Sequence, residues 1–158
     1  TQHLHEPGNG VATFKIKISN SGTYQFVWKS AVKTGNNGSD HNDTWLRFAD
    51  AANFYAKNGN SIVYPKDSGK TPNPEGASYN GWFKVYRSGS DLDFKWNSLT
   101  YDNYGHTIFV DFENPGIYTM EVSARSSGHG VDKFVLFNDS MTSTEATEST
   151  ELSIISCN

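Results

Sequence analysis

The chain has 158 residues, with 13 Lys+Arg, 17 Asp+Glu, 10 Phe, 8 Tyr, 4 Trp and one Cys. This length suits one domain with its own core, and a single cysteine, Cys157, excludes an intrachain disulfide and a cysteine zinc cluster. No apolar run reaches about 18 residues, so the sequence predicts no membrane span. Thr1 stands where an initiator Met or a signal peptide would begin, and we expect a mature or excised piece.

The charge is unevenly distributed along the chain. Residues 139–158 contain four acidic residues and no Lys or Arg, whereas residues 1–138 contain 13 acids and 13 bases and are neutral. Duplex nucleic acid is bound by neutralising its phosphates, so the neutral part predicts no nucleic-acid partner. The acidic part is rich in Ser, Thr and Glu, a composition that does not offset its own ordering entropy. We expect a folded domain at 1–138 and a linker or tail at 139–158.

Apolar residues along 1–138 recur with the period of two that is typical of half-buried strands. In the segment 11–19, Phe14, Ile16 and Ile18 fall on one side, and lysines fall on the other. The same pattern predicts strands in GTYQFVWKS, TWLRF, GWFKVY, LDFKW, HTIFVDF, GIYTMEVSA and DKFVLF. Turn-forming residues separate these segments, and no stretch of ten or more residues has an amphipathic helical pattern.

These elements predict an all-β fold, an antiparallel β-sandwich of the jelly-roll type. The unequal lengths of the loops favour this architecture over an up-and-down barrel. Residues 49–80 show little strand pattern and are predicted to form one long loop region. Long ordered loops in compact domains are commonly functional, so we expect this region to be part of a binding site.

Strand alternation also predicts a polar face that carries aromatic and basic side chains. In TWLRF, Leu46 and Phe48 share one side, which leaves Trp45 and Arg47 on the other. The same reasoning in the strands GWFKVY and GIYTMEVSAR places Trp82, Lys84, Tyr86 and Arg125 opposite the apolar residues. Sugar rings stack on such aromatic groups while Arg and Lys bind their hydroxyl or acidic groups. The alternative is that both indoles lie in the core, with the basic side chains extended over them.

Polar residues gather at three strand junctions, which can meet at one end of a sandwich. These are His41, Asn42 and Asp43; Asp102, Asn103 and His106; and Ser126, Ser127 and His129. No G-x-S-x-G motif supports a nucleophilic triad, and the pairs Asp91/Asp93 and Asp111/Glu113 adjoin strand ends where solvated acids are ordinary. We therefore predict no catalytic residues. The candidate ligand-binding residues are Asn42, Trp45, Arg47, Tyr55, Trp82, Lys84, Tyr86, Arg125 and His129.

Four strings carry a resemblance to a known group of proteins: HNDTWLRF, NFYAKNG, YPKDSGKTPNPEGASYNGWFKVY and PGIYTMEVSARSSGHGVDKFVLF. They resemble a non-catalytic β-sandwich module appended to secreted polysaccharide-degrading enzymes of marine bacteria. SSGHGVDKFVLF is similar to the end of carbohydrate-binding modules of the family six and thirty-five type, and the resemblance covers about residues 10–138. It implies sugar binding, secretion and a parent catalytic domain in the same chain. It also implies a structural Ca²⁺, for which Glu6 and Asp132 are the candidate ligands by position.

The sequence thus predicts a non-enzymatic, secreted, monomeric carbohydrate-binding module that holds a parent enzyme on a polysaccharide. Arg47, Lys84 and Arg125 favour an acidic or sulfated marine glycan such as porphyran or alginate, while neutral galactans such as agarose stay open. One alternative is a small jelly-roll polysaccharide lyase, in which Arg or Asn neutralises a uronate and Tyr or His acts as the base. Another is a purely structural sandwich domain.

Overall fold

Twelve β-strands and one short α-helix make up the regular structure of residues 3–153, the part of the chain that this computed structural model describes. The strands are β1 (Val11–Ile18), β2 (Gly22–Val32), β3 (Asp43–Arg47), β4 (Asn53–Asn58), β5 (Ser61–Val63), β6 (Ser78–Tyr79), β7 (Trp82–Tyr86), β8 (Lys95–Trp96), β9 (Leu99–Thr100), β10 (His106–Phe112), β11 (Gly116–Ser123) and β12 (His129–Phe137), and the helix is α1 (Ser143–Glu148). Over the same residues, no helix is both long and apolar enough to cross a membrane. The expectations for Thr1 and Cys157 fall outside them.

The strands form one continuous, curled antiparallel sheet that folds into two halves. The first half has the order β1–β11–β3–β7, with β6 paired to β7. The second half has the order β12–β2–β10–β4–β5, with β8 paired to β2. The two-residue strand β9 pairs with both β7 and β10 and joins the halves. The predicted all-β class, a sandwich of the jelly-roll type, is confirmed.

The hydrophobic core lies between the two halves. Phe54 of β4 and Phe83 of β7 contact each other across it, with ring centroids 4.8 Å apart. The first half contributes Ile18, Leu46, Phe83, Val85 and Met120, and the second half contributes Phe26, Trp28, Phe54, Ile108, Val110 and Phe112. Burying each of these large side chains stabilises the fold by about 1.5–3 kcal/mol. The period-two pattern therefore predicts the inward side of these strands correctly, whereas for β4 the sequence predicts a loop.

The segment 49–80 differs from the prediction, because it contains β4, β5 and β6. Its longest loop covers residues 64–77. Phe54 and Ala56 face the core, whereas Asn53, Tyr55 and Lys57 face outward. Alanine is too small to make this alternation obvious in the sequence. Conversely, the segment LDFKW forms only the two-residue strand β8, and β9 was not predicted.

The acidic tail is not wholly an extended linker. The helix α1 begins after a capping box in which Thr142 and Glu145 each accept a hydrogen bond from the other's backbone N–H. Ala146 is 5% exposed and packs with Val27 and Phe137 on the outer side of the second half. The expectation that the tail cannot order itself is therefore wrong for α1, because the cap and this apolar contact offset the entropy cost.

Candidate functional site

The predicted polar face lies on the outer side of β3 and β7. Its side chains have the predicted orientation, because Leu46 and Phe83 are in the core and the neighbouring indoles point the opposite way. Trp45 is only 3% exposed, however, and Trp82 only 4%. The two indoles are therefore buried, and they are buried outside the two-sheet core.

Groups of the protein itself cover both indoles. The indole N–H of Trp45 donates a hydrogen bond to the carbonyl of His3 over 3.1 Å, so the N-terminal segment lies against that ring. The guanidinium of Arg125 lies 5.1 Å from the centre of the Trp45 ring, and that of Arg47 lies 4.3 Å from the centre of the Trp82 ring. These arginines extend over the indoles, as the alternative interpretation predicted, but the indoles lie on the outer side of the first half and not in the core. The indole faces are not open in this conformation.

The three basic residues of this face all bind carboxylates of the chain. Arg47 Nη2 lies 2.7 Å from Glu121 Oε2, and the other two pairs are Lys84 with Asp102 and Arg125 with Asp43. Lys84 is also buried, with 7% of its surface exposed. The charge that would attract an acidic glycan to this face is therefore largely neutralised within the protein.

Tyr86 is half-buried on the same face. Burial, and then the charge of Asp102, raises the pKa of Tyr86 above its ordinary value of 10.0. A tyrosine with a raised pKa is a poorer general base near neutral pH, because a smaller fraction is ionised. The lyase alternative therefore gains no support from this residue.

Two predicted loop residues, Asn42 and Arg125, meet at one end of the sandwich. They line an open cleft of about 370 Å³ together with Leu4, Ser39, Asp40, His41, Asp43 and Ser126. The amide of Asn42 donates to the carbonyl of Arg87 over 2.8 Å, and the buried carboxylate of Asp43 accepts from Arg125 and Ser126. These hydrogen bonds connect the segments around residues 42, 87 and 125, so the polar groups at this end of the sandwich stabilise the fold.

His129 lies behind this cleft, where its ring packs edge-on against Trp28 with centroids 5.8 Å apart. Its Nδ1 lies 2.8 Å from Thr44 Oγ1, and its buried Nε2 has no hydrogen-bond partner within residues 3–153. Burial lowers the pKa of His129 from 6.5 to about 4, although the nearby carboxylate of Asp43 opposes the shift. The imidazole is therefore neutral at pH 7.

We expect the free energy of unfolding to decrease as the pH falls from 6.5 to about 4. In the unfolded chain this histidine takes up its proton near pH 6.5, whereas folded His129 does so only near pH 4. The unfolded state gains the proton first, so up to about 3 kcal/mol of stability is lost across this interval. Urea unfolding at a series of pH values measures the effect.

The test variant is His129→Gln. The control variant is His5→Gln, which removes an exposed histidine. The first is expected to flatten the pH dependence between pH 6.5 and 5, above the range in which ordinary carboxylates titrate. The second is expected to leave it unchanged. An identical pH dependence in native protein and His129→Gln would show that His129 is not its source.

Tyr55 lies apart from the other predicted residues, on the outer side of the second half. It stands directly opposite Phe109 in the pairing of β4 with β10. The two rings stack with centroids 5.7 Å apart, and Tyr64, which follows β5, lies 6.3 Å from Tyr55. All three rings are partly exposed. We refer to Tyr55, Tyr64 and Phe109 as the aromatic face.

Polar side chains border the aromatic face. Asp111 accepts hydrogen bonds from Thr23 Oγ1 over 2.7 Å and from Asn53 Nδ2 over 3.1 Å. Lys70 donates to Asn53 Oδ1 over 2.7 Å, and its ammonium lies 5.8 Å from the centre of the Tyr64 ring. An open cleft of about 550 Å³ adjoins this border and is lined by Ser21, Gly22, Thr23, Ala52, Asp111, Phe112 and Glu113.

The arrangement combines flat apolar surface with donors and acceptors at fixed positions. Burial, and then the charge of Asp111, raises the pKa of Tyr55, so its hydroxyl stays protonated as a donor. Asp111 supplies acceptor oxygens, and Lys70 and Asn53 supply donors. Such a surface can bind a ligand that has both C–H faces and hydroxyl groups.

Sequence reasoning found Tyr55 but missed Phe109, Tyr64 and Lys70. The signal for Phe109 was present, because in HTIFVDF the residues Ile108 and Val110 face the core and leave Phe109 outward. Tyr64 and Lys70 belong to the 64–77 loop, which has no strand pattern from which their positions could be derived. Both lie in the 49–80 segment that was predicted to contribute to a site.

The proposed calcium ligands do not belong to a cluster of metal-binding side chains. Glu6 is exposed in the N-terminal segment, and Asp132 is exposed at an irregularity in β12. Within residues 3–153, no group of three or more His, Cys, Asp or Glu is placed to hold a metal ion. The calcium site stays a prediction, and we derive no chemistry from it.

No protein-family model, curated protein or solved structure matches this chain. Its function is therefore inferred from the residues and distances described above.

Proposed function

We propose that the protein is a non-catalytic carbohydrate-binding module and that a polysaccharide chain lies on the aromatic face. The supporting observation is the set of three contacting, partly exposed rings on the outer side of a β-sheet. The C–H faces of sugar rings pack on aromatic side chains, and their hydroxyls bind neighbouring polar groups. Asn53, Lys70 and Asp111 are such groups, and they border the rings.

The aromatic face is held in place before any ligand binds. Tyr55 and Phe109 lie on two strands that pair along five residues each, and β10 also pairs with β2 on its other edge. Lys70 and Asn53 are fixed by their mutual hydrogen bond. A preformed surface loses little conformational entropy on binding, which favours measurable affinity even for a small contact area.

The outer side of the first half has a structural role in this proposal. Trp45 and Trp82 are buried there, and the basic side chains beside them are already paired. We therefore assign glycan binding to the second half. In a secreted enzyme, the module would hold a catalytic domain of the same chain close to its polysaccharide, and it would do so as a monomer.

Affinity electrophoresis of the native protein tests this proposal. The purified domain is run through native gels that contain agarose, porphyran, carrageenan, alginate or ulvan, with calcium or with a chelator. We expect slower migration than a non-binding reference protein in at least one gel, and no unsaturated products from alginate or ulvan. Free migration in every gel would contradict a binding module, and product formation would favour the lyase alternative.

A further inference from the structure

A second surface on the outer side of the second half carries three lysines and two aromatic rings. Trp28 points into the core, so Lys29 of β2 points outward. Lys29 is paired in register with Trp96 of β8 on one side and with Lys133 of β12 on the other. Lys33 follows β2 and lies beside Phe94. We refer to Lys29, Lys33, Phe94, Trp96 and Lys133 as the lysine patch.

Two of the ammonium groups lie near the aromatic rings. Lys33 Nζ is 4.6 Å from the centre of the Phe94 ring, and Lys133 Nζ is 5.8 Å from the centre of the Trp96 ring. Phe94 is 42% exposed, so its ring and the charge above it are both accessible. An ammonium near a ring is attracted to its face while it keeps donors for a ligand.

The lysines of this patch have no ion-pair partner within residues 3–153. Five other basic residues of the chain do have one: Arg47, Lys84, Arg87, Lys95 and Arg125. The adjacent carboxylate of Asp91 is already bound by Arg87 and Lys95. The exposed residues Asp93 and Asp132 directly precede Phe94 and Lys133 in the sequence. Neither carboxylate forms an ion pair with a patch lysine. Three lysines without an ion-pair partner in the described part of the chain are therefore grouped on one surface. Lys15, Lys17, Lys57, Lys66 and Lys70 also lack one but lie outside this group.

The lysine patch lies on the same side of the sandwich as the aromatic face. Phe109 is paired in register with Gln25 of β2. Lys29 lies four residues further along β2, which is about 13 Å from Gln25 in an extended strand. Trp96 packs against the apolar cluster of Val27, Phe137 and Ala146, so α1 is next to the patch. Val27, which α1 covers, lies between Gln25 and Lys29 on this side, so a polysaccharide that contacts both surfaces would pass alongside α1.

We propose that the lysine patch binds the sulfate or carboxylate groups of an acidic polysaccharide. Lysine ammonium groups act as point charges for such anions, and the two rings between them offer apolar surface to the sugar faces. This inference rests on the proposed function and specifies its ligand as a polyanionic glycan. The residues proposed to bind the anionic groups are therefore the patch lysines. Arg47, Lys84 and Arg125 are not proposed, because each forms an ion pair with a carboxylate of the protein.

The test compares two triple variants with the same change in net charge. The patch variant is Lys29→Gln, Lys33→Gln and Lys133→Gln, in which glutamine keeps part of the aliphatic stem. The control variant is Lys15→Gln, Lys17→Gln and Lys66→Gln, three exposed lysines that belong neither to the patch nor to β4. Both are compared with native protein in gels containing sulfated carrageenan, alginate or neutral agarose, after circular dichroism has verified their folding.

We expect the patch variant to bind carrageenan or alginate about tenfold more weakly, since three exposed charge contacts are lost. Its retention in agarose and the behaviour of the control variant are expected to stay native, and added NaCl should weaken only the proteins that keep the patch. Native binding of acidic glycans by the patch variant, or equal losses in both variants, would overturn the inference. Equally tight binding of duplex DNA would overturn the assignment to glycans.

The design separates this inference from the proposed function. If native protein is retained by agarose and not by the acidic glycans, the lysine patch is refuted and the carbohydrate-binding module stands. If no gel retains the native protein, both are refuted.

Discussion

Replacing Tyr55 with alanine is expected to abolish detectable retention in glycan gels while the fold stays intact. Tyr55 is the ring that contacts both Phe109 and Tyr64, so its removal leaves the other two rings separated. The loss of one ring that a sugar would cover costs about 2 kcal/mol, or roughly thirtyfold in affinity. Isothermal titration calorimetry with the glycan that retains native protein measures the loss.

Two further variants show whether the ring itself is responsible. Tyr55→Phe keeps the ring and removes the hydroxyl, and it is expected to keep most of the affinity. Tyr79→Ala removes a ring that is 41% exposed on β6 of the first half, and it is expected to bind like native protein. A folded Tyr55→Ala protein with native affinity would remove the aromatic face from the binding site.

Replacing Trp82 with alanine is expected to destabilise the domain by about 3–5 kcal/mol. The indole is 4% exposed and lies under the guanidinium of Arg47, so truncation leaves a cavity and removes the cation–π contact. The free energy of unfolding, measured by urea titration, gives the size of the effect. Tyr79 is the matched control, because it is paired in register with Trp82 and is exposed.

This measurement also decides between two roles of Trp82. The sequence assigns it to ligand binding, in which case the variant would be as stable as native protein and would lose glycan retention. The structure leads us to expect the reverse: a large loss of stability, with retention preserved at temperatures where the variant is folded. A stable variant without retention would return the binding site to the outer side of β3 and β7.

The sides of the strands could be derived from the sequence because the β-pleat fixes them locally. Leu46 and Trp45 are neighbours, and their opposite directions follow from the backbone alone. Whether an outward residue is exposed depends on distant segments. The carbonyl that covers Trp45 belongs to a residue 42 positions away, and the carboxylate that pairs with Arg47 belongs to one 74 positions away. No local pattern contains that information.

The same distinction explains the outcome for the candidate site. Tyr55 was identified as a candidate, but its partners Phe109 and Tyr64 come from separate elements that only the strand pairing brings together. Basic residues were identified by type, whereas ion pairing, which depends on tertiary contacts, decides which of them keep their charge available. The Thr142 to Glu145 spacing is a capping-box signal that the sequence contains, whereas composition alone does not reveal α1.

The two outer sides of the sandwich differ in which segments of the chain cover them. The N-terminal segment lies against the first half through the carbonyl of His3, whereas α1 covers only part of the second half. A polymer bound on the aromatic face, as we propose, would meet the outer side of the second half. The bound module would have a defined orientation relative to the polymer, with its first half facing away from it. Such attachment would fix the direction in which a linked domain faces as well as its distance from the polymer surface.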